Sequence, residues 1–340
     1  MTALNQARLR VARGLERGEW NGLASRALSR AWSAIASREL ARPLSFTDGV
    51  RVVAIGGATL GGSGKTPLAV ACTRALAQGG ARVALVGHGY RASPGAARVV
   101  RVNDEVANVG DEALMAARAL AGVAPVVVAP TRQAAIDLAS SIADVLLLDG
   151  VLQTAPRRVA LSLLALDAAS PWGAGRTPPR GDLRAPPPDL LAAADCTVLL
   201  QDERVAPPSE PADSIALVRS RGAWRNGRLI AWPELAPLRV GLFVALGRPS
   251  RLVASLARRG IVPSVIVESA DHSPPARSLA LRLASAPVEL WLASAKCATH
   301  LAGARVPHAT LDHDVILDES LVRALRTRTS PDLAIALRAR

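Results

Sequence analysis

The residues with the clearest chemistry are Gly56-Gly57-Ala58-Thr59-Leu60-Gly61-Gly62-Ser63-Gly64-Lys65-Thr66. Backbone N–H groups of Gly61, Gly62, Ser63 and Gly64 can turn inward on a phosphate, because glycine lets the chain approach without a Cβ clash. Lys65 can reach the β- and γ-phosphates of a nucleotide, and the Thr66 hydroxyl can sit on Mg²⁺. An apolar run over residues 50–55 leads into the loop, and a helix-forming run over residues 67–78 leaves it. Strand, Gly-rich loop and helix in that order make a phosphate-binding loop, with the helix N-terminus adding a favourable field for the anion. The strict pattern wants a further glycine at or near Thr59. The competing reading is a Gly-rich turn with a chance Gly-Lys-Thr.

Phosphoryl transfer also needs carboxylates for Mg²⁺, a group to accept the proton of the attacking hydroxyl, and a cationic clamp. Asp149 ends the apolar run 145–148, where a phosphate-loop protein carries its second metal-directed group. A strand-end cap would explain it otherwise. Asp111 and Glu112 open a helix, and ordinary N-terminal capping would account for both. Asp271-His272 follows a strand ending near Glu268; a His beside a carboxylate can move protons or simply sit at the surface.

The elements that must position these groups alternate strand and helix. Strands are expected at 82–87, 99–102, 124–129, 145–148, 159–166 and 196–200. Helices are expected from 108 to about 121 and over 131–141. This is an α/β pattern, a parallel sheet with helices on both faces, and its ligands sit beyond the C-terminal strand ends. Residues 168–189 carry many Pro and Gly and read as a long loop. The expected domains are an amphipathic Arg-rich helical segment at 1–47, a phosphate-loop core at 48–202, a linker at 203–238 and a smaller α/β domain at 239–340. In the first segment Leu28, Trp32 and Ile35 share a helical face, with Arg26, Arg30 and Arg38 spread around it. That mixture suits a membrane interface or a helix packed on its own domain.

The chain has 340 residues and a net charge of +13, and lysine occurs only at Lys65 and Lys296. The arginine excess reads as a solvated basic surface, or as attraction to anionic lipid or nucleic acid. Only 3% of residues are aromatic, which disfavours base-stacking modules. Cys72, Cys196 and Cys297 have no metal-ligand spacing and point to a reducing compartment. No uncharged run is long enough to span a membrane, and no secretory signal is visible.

Set in order, these pieces resemble the tetraacyldisaccharide 4'-kinase (lipid A 4'-kinase) family over roughly residues 45–300. The family loop, approximately Gly-Asn-x-Thr-x-Gly-Gly-Thr-Gly-Lys-Thr-Pro, matches residues 56–67, so the missing early glycine is a family trait. Its Ser-Arg-Gly-Tyr appears as Gly87-His88-Gly89-Tyr90, and its Val-Gly-Asp-Glu is intact at 109–112. Its Leu-Arg-Glu-Pro appears as Leu183-Arg184-Ala185-Pro186, its Gly-x-Pro as Gly247-Arg248-Pro249, and its Asp-His as Asp271-His272. The resemblance implies ATP with Mg²⁺, and phosphorylation of the 4'-hydroxyl of a tetraacyl glucosamine disaccharide 1-phosphate. The lipid substrate and the inner-membrane surface are then the partners, with no nucleic acid and no obligate protein partner, and the enzyme is peripheral on the cytoplasmic face. It implies Asp111, His272 and Lys65 as catalytic residues, residues 61–66 as the nucleotide loop, and Thr66, Asp149 and Glu112 as metal ligands. Asp111 and His272 come from different domains, so closure would assemble the site.

Three departures stand out. The family's Asp-Asp-Gly-Phe-Gln-His reads Asp149-Gly150-Val151-Leu152-Gln153-Thr154, with one carboxylate and the His gone. Its Thr-Glu-Lys-Asp reads Ser294-Ala295-Lys296-Cys297, with both acids gone, and the Arg of Ser-Arg-Gly-Tyr is His88. Thr66, Asp149, Glu112 and water could still complete a Mg²⁺ octahedron. The expected protein is an active, divergent kinase; the alternatives are a membrane-associated nucleotide-binding relative with impaired or no activity, and a phosphate-loop enzyme acting on a soluble substrate.

Overall fold

The computed structural model describes residues 3–89, 92–206, 211–269, 277–301, 304 and 306–330. Tyr90, Asp271 and His272 lie outside the described residues. Helices α1 (Ala3–Arg17) and α2 (Leu23–Arg38) come first, then β1 (Ala41–Pro43), β2 (Arg51–Gly57), α3 (Lys65–Gln78), β3 (Val83–Val86) and β4 (Arg98–Val99). Next are α4 (Val106–Val109), α5 (Asp111–Ala119), β5 (Val126–Val128), α6 (Arg132–Ile142), β6 (Val145–Asp149), β7 (Gln153–Ala155) and β8 (Leu161–Asp167). They are followed by α7 (Pro187–Ala193), β9 (Cys196–Asp202), β10 (Ser214–Arg219), β11 (Gly222–Arg225), β12 (Arg228–Ala231) and α8 (Trp232–Leu235). The rest is β13 (Val240–Val244), α9 (Pro249–Ala257), β14 (Val265–Glu268), α10 (Arg277–Ser285), β15 (Leu290–Ala293), α11 (Ala295–Ala298), β16 (His308–Leu311), β17 (Asp314–Ile316) and α12 (Glu319–Thr329).

Among the described residues the larger sheet runs β17-β10-β9-β8-β2-β6-β3-β5-β4, parallel from β10 to β5 with an antiparallel strand at each edge. Its central strands are apolar throughout because both faces are covered. Successive residues divide between two cores. Val53, Ile55, Leu85 and Leu147 face the layer of α3, α5 and α12, while Val52, Ala54, Val86, Leu146 and Leu148 face α6. Strand β2 lies between β6 and β8, so the loop leaving its C-terminal end opens where ligands of such sheets bind. The smaller sheet runs β12-β11-β16-β15-β13-β14 and divides in the same way: Leu242 and Leu292 turn to one core, Phe243 and Trp291 to the other.

Two boundaries differ from expectation. Residues 203–238, expected as a linker, contribute β10 to the larger sheet and the β11–β12 hairpin to the smaller one. The second lobe does not keep everything after 239: β17 pairs with β10, and Leu321 and Leu325 of α12 are buried in the core of the first lobe. The chain therefore crosses between lobes more than once. The strand expected at 99–102 is also shorter, pairing only at Arg98 and Val99.

The lobes are braced beside the site. Arg259, after α9, donates to both carboxylate oxygens of Asp202 at the end of β9, at 2.8 and 2.9 Å, and lies over the Trp232 ring. Burial alone would raise Asp202; hydrogen bonds from Arg259, the Arg204 N–H and Ser255 more than offset it and hold the carboxyl well below its usual range.

Candidate active site

The loop after β2 is shaped by what surrounds it. Gly62 and Gly64 take the left-handed conformation, at φ +74° and +77°. A Cβ on Gly64 would also lie 2.7 Å from Leu200, so a side chain there meets both strain and a clash. Helix α3 starts at Lys65 with Pro67 in its first turn, where the missing N–H breaks no helical bond. Its last turn closes at Gly79, whose N–H reaches the carbonyls of Ala75 and Leu76.

The long loop 168–186 buttresses the phosphate loop from one side. The Leu60 N–H donates to the Asp182 carbonyl at 2.8 Å and the Arg184 N–H to Ala58 at 2.9 Å, and Arg184 Nε donates to the Thr59 carbonyl at 3.2 Å. From the other side comes the Gly247-Arg248-Pro249 turn of the second lobe. Arg248 pairs with Asp182, both buried. Arg251, one turn on, pairs with Asp167 and donates to the Gly62 carbonyl at 3.0 Å. The nucleotide loop is thus held by both lobes.

Thr66 and Asp149, both expected as ligands of one metal ion, lie side by side: Thr66 Oγ1 donates to Asp149 Oδ2 at 2.6 Å. Asp149 is buried, and among the described residues its Oδ1 has no hydrogen-bond partner. Burial raises this carboxyl above its usual range, against the opposing pull of Lys65. A buried carboxylate oxygen left without a donor is costly unless something cationic completes it.

Lys65 Nζ lies 3.9 Å from Glu112 Oε1, and Lys296 Nζ lies 3.6 Å from the same oxygen. Both lysines of the chain therefore converge on one carboxylate, one from each lobe. Asp111 is buried at the start of α5. Its Oδ1 accepts from the Glu112 N–H at 2.8 Å, and its Oδ2 lies 3.0 Å from His300 Nε2 and 3.9 Å from Lys296 Nζ. His272 cannot be placed against Asp111, since it lies outside the described residues.

Sequence reasoning missed three arginines and a histidine at this site. Arg132 opens α6 and donates to the Asp149 carbonyl at 2.9 Å; a Cβ on Gly150, where φ is +81°, would lie 3.7 Å from its Nη2. Where the resembling family has a second carboxylate, this chain has a glycine in the left-handed region next to a guanidinium. Arg248 stood in a recognised turn without an assigned role, and Arg251 lies in the helix that follows it. His300 stands four residues after Lys296, and nothing local to it points to Asp111. His88 lines the same cleft, its imidazole pushed toward neutrality by burial and then by Arg132. The cleft measures about 1210 Å³ and runs between the lobes from Arg42 and Arg184, over the loop, to Leu256 and Val315. Its cationic rim suits a polyphosphate, and its size admits more than one substrate.

A family model described as tetraacyldisaccharide-1-P 4'-kinase (LpxK) matches residues 23–329. A tetraacyldisaccharide 4'-kinase of Hyphomonas neptunium is 34% identical over 70% of this chain and 68% of its own length. One of Methylobacterium radiotolerans is 33% identical over 92% of this chain and 90% of its own. Among solved structures, "apo" form LpxK from Aquifex aeolicus in complex with ATP superimposes with a TM-score of 0.67. It is 20% identical and the match covers 89% of this chain and 98% of that one, a likeness of fold.

Proposed function

Because the chain belongs to the tetraacyldisaccharide-1-P 4'-kinase family of lipid A biosynthesis, we propose that residues 61–66, Asp111, Glu112 and Asp149 form its phosphoryl-transfer site. ATP is the donor and the 4'-hydroxyl of a tetraacyl disaccharide 1-phosphate the acceptor. The observation that carries this reading is the Thr66–Asp149 contact beside Lys65, with the second Asp149 oxygen buried and unsatisfied. A hydroxyl and a carboxylate side by side at the mouth of a phosphate loop fit Mg²⁺, which takes one or two protein oxygens and fills its octahedron with phosphate oxygens and water. Bound there, the ion would offset charge on the transferring group.

The chain's own residues divide the remaining work. Loop N–H groups and the start of α3 hold the phosphates. Lys65 neutralises the γ-phosphoryl group as its charge spreads. Asp111, 2% exposed, accepts the proton of the sugar hydroxyl, so that the oxygen attacks phosphorus as the bond to ADP breaks. Arg184 and Arg251 line the cleft and hold the loop through the Thr59 and Gly62 carbonyls. For Asp149→Asn, the Mg²⁺ concentration giving half-maximal rate is expected to rise by roughly tenfold to a hundredfold. Initial rates across a Mg²⁺ series measure it; an unchanged midpoint would remove Asp149 from the metal site.

The second helix supports contact with a membrane surface. Ser29, Ser33 and Thr177 share hydrogen bonds of 2.8–3.0 Å, and Ser37 reaches Asp189, so the small polar stripe of α2 faces the protein. Leu28, Trp32 and Ile35 are left outward at 61, 44 and 59% exposure, the reverse of a helix serving its own core. Among the described residues no helix is long and apolar enough to cross a membrane. The fit is a helix lying in the interface, apolar side chains down and arginines against anionic headgroups. Replacing all three by Ser should lower partition onto anionic vesicles by about tenfold or more in a flotation assay. Equal partition of variant and parent would dispose of this surface.

A further inference from the structure

His300 lies just beyond α11 in the second lobe, its side chain 1% exposed. Its Nε2 is 3.0 Å from Asp111 Oδ2 in the first lobe. For Asp111 to serve as proton acceptor it must be ionised and only accept hydrogen bonds, so Nε2 carries the hydrogen in that state. The other Asp111 oxygen accepts from the Glu112 N–H. One carboxylate oxygen is thus pinned by its own helix and the other by the opposite lobe. The two residues are 189 positions apart, and they meet because α11 packs on α5. With the family's two acids replaced by Ala295 and Cys297, the Cys297 sulfur is turned inward to accept from the Ala245 N–H. His300, one turn later, approaches Asp111 Oδ2 at 3.0 Å, nearer than Lys296 of the same segment at 3.9 Å.

We infer that His300 is a positioning residue for the reaction: it fixes the plane of the Asp111 carboxylate and makes that orientation depend on contact between the lobes. The inference rests on the assignment of Asp111 as proton acceptor. It places no bond-making step on His300, which is buried and acts through Asp111. A buried hydrogen-bonded His that served only the core would affect folding and leave turnover per folded molecule alone. One that orients Asp111 acts on kcat, because a misplacement of about 1 Å in a reacting group can cost roughly a hundredfold.

The test is steady-state kinetics of His300→Gln, His300→Asn and His300→Ala, each alone and combined with Asp111→Asn, on protein checked for folding by circular dichroism. His300→Ala should lower kcat by roughly tenfold to a hundredfold, with KM for ATP and for the lipid within about twofold. The Gln amide nitrogen reaches the place of Nε2, so His300→Gln should recover most of kcat, whereas the shorter Asn should not. In the Asp111→Asn background, His300→Ala should cost under about twofold, because its route to the chemistry is already gone. Additive losses in that background, equal losses for Gln and Ala, or a lowered Tm with kcat unchanged would each overturn the inference. If Asp111→Asn alone left turnover intact, the proton-acceptor assignment would fall and His300 with it. If Asp111→Asn abolished turnover while every His300 variant kept it, the His300 inference alone would fall.

Discussion

Asp111→Asn should lower kcat by about 10²–10⁴-fold, the range for loss of a positioned general base, with KM for ATP changed little. Asn keeps the shape and can still accept the Glu112 N–H that now caps one Asp111 oxygen at 2.8 Å, so the helix start survives. What it loses is the capacity to take a proton. Asp111 is poorly placed to be a mere cap: it is 2% exposed, and two cationic or donor groups of the second lobe, His300 and Lys296, lie 3.0 and 3.9 Å from its outer oxygen. Steady-state rates with saturating ATP and varied lipid measure the effect. A loss confined to KM would assign Asp111 to binding.

Lys65→Met should lower kcat/KM by roughly a thousandfold, through loss of charge stabilisation that is worth most in the transition state. Lys65→Arg should restore little. In a chain with 41 Lys and Arg residues together, lysine stands only at 65 and 296, and both side chains end within 4 Å of Glu112 Oε1. A compact ammonium fits where two cations share one carboxylate; a planar guanidinium needs a wider, fork-shaped space. With Met at 65, Glu112 keeps Lys296, so the fold should hold. Stopped-time assays with labelled ATP report the rate, and the thermal midpoint reports the fold. Equal activity of Lys65→Arg and the parent would contradict the packing argument.

The sequence made the first lobe's centre plain for physical reasons. The Gly-rich loop needs its glycines where φ is positive or a neighbour is close, and those residues stand at 62 and 64. Asp149 was legible because an apolar strand buried on both faces has to stop where its first carboxylate appears. The lobe boundaries were not legible. Strand β10 alternates buried and exposed residues and follows a Pro-rich acidic stretch, which resembles a linker locally. The return of β17 and α12 depends on contacts with β10 and α3, far away in the chain. His300 was hidden for the same reason: nothing near position 300 announces a carboxylate at 111. The Thr66–Asp149 contact was foreseeable from the strand-loop-helix order, while Arg132, Arg248 and Arg251 were not, because a chain rich in arginine gives no single one of them prominence.

The measurement that bears most directly on this account is transfer of label from γ-labelled ATP to a tetraacyl disaccharide 1-phosphate in detergent micelles, with the position of the new phosphate read by phosphorus NMR. The account predicts one new phosphomonoester, at the 4'-oxygen, that requires Mg²⁺ and is nearly lost in Asp111→Asn. A folded protein that binds Mg-ATP yet leaves the lipid unlabelled, or one with no affinity for Mg-ATP, would contradict it.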